Sequence, residues 1–265
     1  MAEPFIQFCE ELWRDWLDGT LKLPDIILKK FGFDLDAAPE PYLHFETREK
    51  PLVVLTTNPG GTMCHQCRAS VRAGEGPLST SMSYEEAARA LGPFYVKELP
   101  SVSPARRRIE QSQKLSCRLL YQGVFQVEAV PFHRPSLPAN RKRALLDAIE
   151  NDERSLLASY SERLQKFLLS QPVVAISAIS PRGMERIEQS HYGDIACRWP
   201  AWMAGVAGLE LERAKFVHLV GKTKATCAAL VSCANETPKA IVLMIGGNNL
   251  PGDEGLRRLV EELQK

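Results

Sequence analysis

The chain has 265 residues, 33 basic and 32 acidic side chains, a formal net charge of +1, and 45% hydrophobic against 25% charged residues. This balance excludes wholesale disorder and collagen-like repeats, and a polyanion binder held by bulk charge alone. No apolar run reaches the ~18 residues of a membrane span, Met1-Ala2-Glu3-Pro4 lacks the basic start of a secretory signal, and seven cysteines describe no disulfide framework. A cytoplasmic protein that neither crosses nor binds a membrane is expected.

Phe5, Phe8, Leu12, Trp13 and Trp16 recur at helical spacing, so residues 4–17 predict an amphipathic helix whose aromatic stripe belongs to the core. The proline-rich stretch 37–41 leads to the first strong strand, 52–57, whose continuous apolar character suits a strand buried on both faces. Ser83, with Glu86 three residues later, forms a capping box that starts a helix. Further strands are expected at 124–130, 173–179, 215–220 and 240–245, and further helices at 105–119, 141–169, 181–190, 222–233 and 253–264. Strands alternating with helices predict an α/β fold, with a mostly parallel central sheet flanked by helices. Without internal repeats or linkers, the chain reads as a single domain over 1–265: an N-terminal helical extension over 1–45 and a core over 50–265.

In such sheets the chemistry sits in the loops beyond the carboxyl ends of the strands. Here these are Asn58-Pro59-Gly60-Gly61, Pro131-Phe132-His133-Arg134-Pro135, Ser180-Pro181-Arg182-Gly183, Gly221-Lys222-Thr223 and the stretch from Gly246 to Gly252. Gly221-Lys222-Thr223 lacks the upstream glycine of a phosphate loop, since position 216 is Phe; Lys222 at a helix start remains a generic anion site. Cys64-His65-Gln66-Cys67 has the spacing of a metal knuckle but no second pair, so a small metal site and two ordinary loop cysteines both fit. No serine lies in a nucleophile elbow. His133, after the second strong strand, is open to a catalytic, structural or phosphate-contacting role. The basic clusters Arg106–Arg108 and Arg134–Arg143 read as solvated helix faces or as local phosphate contacts.

The segment Val53-Val54-Leu55-Thr56-Thr57-Asn58-Pro59-Gly60 resembles the first motif of the uracil-DNA glycosylase superfamily, most closely its mismatch-specific uracil/thymine branch. Residues 127–135 resemble the family's second strand and its proline-ended loop. Residues 171–176 resemble the junction into its third strand, an assignment for which 215–233 competes. The stretch 241–263, with Asn248-Asn249-Leu250-Pro251-Gly252, is similar to the last strand, the DNA-intercalating loop and the C-terminal helix. Residues 62–121 and 190–213 read as insertions. The resemblance implies a uracil-DNA glycosylase-like fold and a monofunctional glycosylase that flips a base out of DNA and excises it, leaving an abasic site. No cofactor, metal or obligate protein partner is implied.

Cleavage of the N-glycosidic bond passes through an oxocarbenium-like sugar attacked by water, as in glycoside hydrolysis. Asn58 is no strong base, but it can aim a water, the role the resemblance implies for it. No lysine in its loop offers a Schiff base. The implied base pocket comprises Thr57, Pro59, Gly60, Glu128, Phe132 and His133. Leu250 is the implied wedge, with Asn248 and Asn249 beside it. Arg134, Arg141, Lys142, Arg143 and Lys222 are the implied phosphate contacts.

Glu128 stands where uracil-excising relatives carry an asparagine that reads uracil. A carboxylate accepts from cytosine N4 and repels uracil O4, so Glu128 points to a cytosine-type base; a structural carboxylate paired with Arg134 is the alternative. Only a modified cytosine is a tolerable target in a cell's DNA. Resemblance to the phage-defence glycosylases of this superfamily implies glucosylated 5-hydroxymethylcytosine in phage DNA as the substrate, in an antiviral defence role, with Gly74, Gly76, Ser79, Thr80 and Ser81 making room for the sugar. The rival readings are a repair enzyme for uracil or mismatched thymine, a catalytically silent DNA-binding sensor, and an unrelated α/β ligand-binding protein.

Overall fold

The aromatic stripe of the N-terminal segment folds as its spacing predicts. In the computed structural model it forms α1 (Pro4–Asp18), with Phe5, Phe8, Leu12, Trp13 and Trp16 all buried. The structure describes residues 4–45, 50–56, 59–60, 64–101, 103–134, 155–179, 214–219, 226–231, 239–245, 257 and 260–261. Further helices are α2 (Asp25–Phe31), α3 (Arg68–Ala73), α4 (Tyr84–Glu98), α5 (Pro104–Arg118) and α6 (Leu156–Ser170). Ser83 and Glu86 make the expected reciprocal capping box at the start of α4. Phe5 of α1 stacks on Phe167 of α6, ring centres 5.0 Å apart, and Trp13 stacks on Trp16 at 5.1 Å. The Phe5–Phe167 stack fastens the first helix to α6 and the main core.

The strands are β1 (Tyr42–Phe45), β2 (Leu52–Thr56), β3 (Val124–Glu128), β4 (Val173–Ile179), β5 (Ala214–Leu219), β6 (Thr226–Val231) and β7 (Lys239–Ile245). They form one mixed sheet in the order β1-β3-β2-β4-β7-β6-β5. The four central strands, β3, β2, β4 and β7, run parallel to one another. All five residues of β2 are buried, as expected of a strand covered on both faces.

Three features differ from the sequence reading. The sheet is parallel only at its centre, because β1, β5 and β6 join by antiparallel ladders. The chain between β5 and β6 spans only 220–225, and that between β6 and β7 only 232–238. Both are shorter than the dozen or so residues a parallel crossover needs. Within the predicted helix 222–233, residues Thr226–Val231 form a strand. This short run of small apolar residues carries no periodicity that separates helix from strand, and its two flanking strands decide the matter. Finally, the stretch expected as a helical extension, 1–45, ends in β1, which pairs with β3 from Tyr42↔Val127 to Phe45↔Val124.

β1 packs tightly under α4. A Cβ on Gly92 would fall 1.8 Å from the carbonyl oxygen of His44, so only glycine permits this crossing. Residues 62–121, expected as an insertion, contribute α3, α4 and α5; their buried side chains Val71, Ala87, Leu91, Ile109 and Leu115 belong to the same core. Among the described residues no helix is long and apolar enough to cross a membrane.

Candidate functional site

β3 lies on one side of β2 and β4 on the other. Open α/β sheets bind their ligands beyond the carboxyl ends of their strands. A cavity of about 190 Å³ occupies the carboxyl ends of β2 and β3. Thr56 and Glu128, partners in the β2–β3 register, line it with Pro59, Gly60 and His133 from the loops that follow. Glu40, Tyr95, Arg108 and Gln126 complete the polar part of the wall.

Backbone hydrogen bonds hold these loops together. The Arg134 amide donates to the carbonyls of Gly60, at 3.1 Å, and Pro59, at 3.3 Å, tying the loop after β3 to the loop after β2. The Glu40 amide donates to Pro131 O at 2.8 Å, and the Glu128 amide to Pro41 O at 3.0 Å. The proline-rich stretch before β1 is thereby drawn against the site.

Glu128 is 3% exposed. It sits two residues after Gln126 on the same face of β3, and Gln126 Nε2 donates to its Oε1 at 2.7 Å. Among the described residues Oε2 has no hydrogen-bond partner. Burial raises the Glu128 carboxyl to about 7; the nearby Thr56 hydroxyl, the Gln126 hydrogen bond and the charge of Arg108 pull it down, while the charge of Glu40 pushes it up. Tyr160 Oη, buried in α6, anchors the end of the strand by donating to Glu128 O at 2.6 Å.

Glu40 is a second buried carboxylate, reached by three groups distant in the chain. Gln66 Nε2 and Tyr95 Oη donate to its Oε1. His133 Nε2 lies 3.2 Å from the same oxygen, off the line of a well-aligned hydrogen bond. Burial lowers the His133 imidazole, but the charge and contact of Glu40, the Gly60 backbone and the charge of Glu128 outweigh it. The ring is held above the ordinary histidine range. The cavity thus contains two carboxylates in different surroundings, one clamped by donors and one with an open oxygen. This is the arrangement from which acid and base roles are divided.

Of the residues predicted from sequence, Pro59, Gly60, Glu128 and His133 meet in this cavity. Phe132 is buried with its ring centre 5.9 Å from that of Phe33, and it does not line the cavity. Arg134 is half-buried, its guanidinium beside Gly32. Thr57, Asn58, Arg141, Lys142, Arg143, Lys222, Asn248, Asn249 and Leu250 lie outside the described residues.

Gly74, Gly76, Ser79, Thr80 and Ser81, expected to make room for a sugar, do not line this cavity. Gly74 caps α3 in the left-handed region. Gly76 has φ +92°, and a Cβ there would fall 2.8 Å from His65 Cβ. Cys67 directly precedes α3, with its Sγ 3.3 Å from Ser70 Oγ. Among the described residues no group of three or more His, Cys, Asp or Glu side chains could hold a metal ion.

Sequence reasoning missed Glu40, Gln66, Tyr95 and Arg108. Glu40 stands in a proline-rich loop, and the others fall in a stretch read as an insertion; a polar residue in either place carries no periodic signal. Arg108 belongs to a noted basic cluster, and its exposed position on the cavity wall puts it at the opening. No protein-family model matches the chain, and no curated protein or solved structure shows significant similarity to it.

Proposed function

We propose that this chain is a monofunctional DNA glycosylase acting on a modified cytosine, with glucosylated 5-hydroxymethylcytosine in phage DNA as the leading substrate. The observation that carries the reading is the open Oε2 of Glu128 in the cavity at the ends of β2 and β3. Thr56 and Pro59, which flank Thr57-Asn58 in sequence, both line that cavity. Glu128 accepts a hydrogen bond from the N4 amino group of cytosine through a carboxyl oxygen lone pair, which the protonated group also keeps. Asn58 aims the water, and the flipped base enters at the carboxyl ends of the strands.

The cavity is smaller than the roughly 300–1,000 Å³ of sites for drug-sized ligands and suits a single planar base. A glucosyl substituent then projects through the opening, past Arg108. The lowering of the barrier rests on positioning and on stabilisation of the departing base, since an asparagine contributes no strong base.

One observation favours a second reading. With its carboxyl raised to about 7, Glu128 is protonated in a large fraction of molecules at neutral pH and can donate to O4 of uracil or thymine, as a repair enzyme requires. Mass spectrometry of bases released from three DNAs separates the two: uracil-containing duplex, G·T-mismatched duplex, and phage DNA carrying glucosylated hydroxymethylcytosine. Release of the modified cytosine alone, lost in Asn58→Ala, supports the defence enzyme. Release of uracil or thymine transfers the case to repair, and no release from any DNA sinks the glycosylase reading.

A further inference from the structure

Building on the glycosylase reading, we infer that Glu128 is also the general acid of the reaction, passing a proton from Oε2 to N3 of the departing cytosine-type base. Oε1 is already the acceptor for Gln126 Nε2, which leaves Oε2 as the seat of the proton. That oxygen is buried and has no partner among the described residues. Buried polar atoms are nearly always hydrogen-bonded, and a ligand in the cavity supplies the missing contact.

The groups around the carboxyl fit a proton donor. Glu40, from the stretch before β1, places a negative charge nearby that favours the protonated form, and Arg108 of α5 opposes it. Tyr95 of α4 and Tyr160 of α6 are kept un-ionised by burial. His133, after β3, has Glu40 as its ion-pair partner at 3.2 Å. N3 of cytosine is an acceptor, whereas N3 of uracil carries a hydrogen, so a donor aimed at N3 also selects the base.

In the reaction the C1′–N1 bond breaks and its electron pair passes into the base ring. N3 takes the Glu128 proton, so the base leaves neutral. Water adds to C1′, its spare proton goes to solvent, and solvent reprotonates the Glu128 carboxylate.

The test is single-turnover release of the base from duplex DNA containing glucosylated 5-hydroxymethylcytosine, followed from pH 5.5 to 9. Wild type and Glu128→Gln are compared, with binding to the same duplex measured by fluorescence anisotropy. The wild-type rate is expected to fall tenfold per pH unit above about 7. Glu128→Gln is expected, at saturating enzyme, to excise about 100-fold more slowly or worse, with no such fall. A variant with the wild-type single-turnover rate or pH profile overturns the acid role alone. If the variant does not fold, a wild-type profile that stays flat through pH 7–9 overturns it instead. Absence of release by the wild type from this duplex and from uracil and G·T duplexes overturns the glycosylase reading, and the acid role with it.

Discussion

Glu40 Oε1 and His133 Nε2 stand 3.2 Å apart, both side chains almost wholly buried, although 92 positions separate them in the chain. The pair joins the loop before β1 to the loop after β3, and so fixes the wall of the cavity. The His133 imidazole is raised above its ordinary 6.5, the charge of Glu40 outweighing burial. Its contribution to stability is therefore complete below pH 6.5 and is lost as the pH rises through the raised value. Glu40→Gln is expected to lower the His133 midpoint and to cost about 2 kcal/mol near pH 6, with a smaller deficit at pH 9. Proton NMR of the His133 ring and urea melts at the two pH values check both parts.

Glu128 runs by the same rule with a carboxyl in place of an imidazole. The folded state raises it from 4.5 to about 7, so the folded protein binds this proton more tightly than the unfolded chain. The associated stability is full below 4.5 and is lost as the pH rises through about 7. The shift corresponds to about 3 kcal/mol at most. Glu128→Gln should therefore be more stable than wild type at pH 8.5 and lose that advantage at pH 5. Equal wild-type and variant melting curves at pH 8.5 contradict this.

Arg108 is the cation that pulls Glu128 down, and it is exposed at the rim of the cavity. Replacing it by glutamine removes that pull. The carbon-13 titration of the Glu128 carboxyl is expected to move upward from about 7. An unmoved midpoint means that solvent already screens the arginine.

At Gly92 the helix and the strand leave no room for a side chain. The Cβ of Gly92→Ala meets the His44 carbonyl at 1.8 Å, and the partner atom is backbone, so relief requires β1 and α4 to separate. The expected cost is about 3 kcal/mol, the upper end for overpacking. A thermal melt within about 1 °C of wild type contradicts this crossing.

The capping box of α4 gives a smaller effect. Ser83 Oγ accepts from the Glu86 amide at 3.3 Å, and Glu86 Oε2 accepts from the Ser83 amide at 2.8 Å. Ser83→Ala is expected to cost about 1 kcal/mol, measurable by urea denaturation, with no change in the Glu128 titration.

The sequence by itself determined the parts whose signal is local. The aromatic stripe of α1, the continuous apolar runs of β2, β3, β4 and β7, and the Ser83–Glu86 cap are each written within one turn or one strand. The loops after the β2 and β3 runs also mark Pro59, Gly60 and His133 as residues at the carboxyl edge of the sheet, and the family resemblance singles out Glu128. Tertiary structure alone decided what depends on pairing across the chain. Thr226–Val231 is a strand because β5 and β7 flank it with connections too short for a crossover. Tyr42–Phe45, four residues beside a proline-rich loop, is a strand because β3 offers it a free edge. Glu40 became part of the site through Gln66, Tyr95 and His133, which reach it from three separate segments. Hydrophobic periodicity records which face of an element is buried, but a polar contact between loops depends only on where the folded elements bring them.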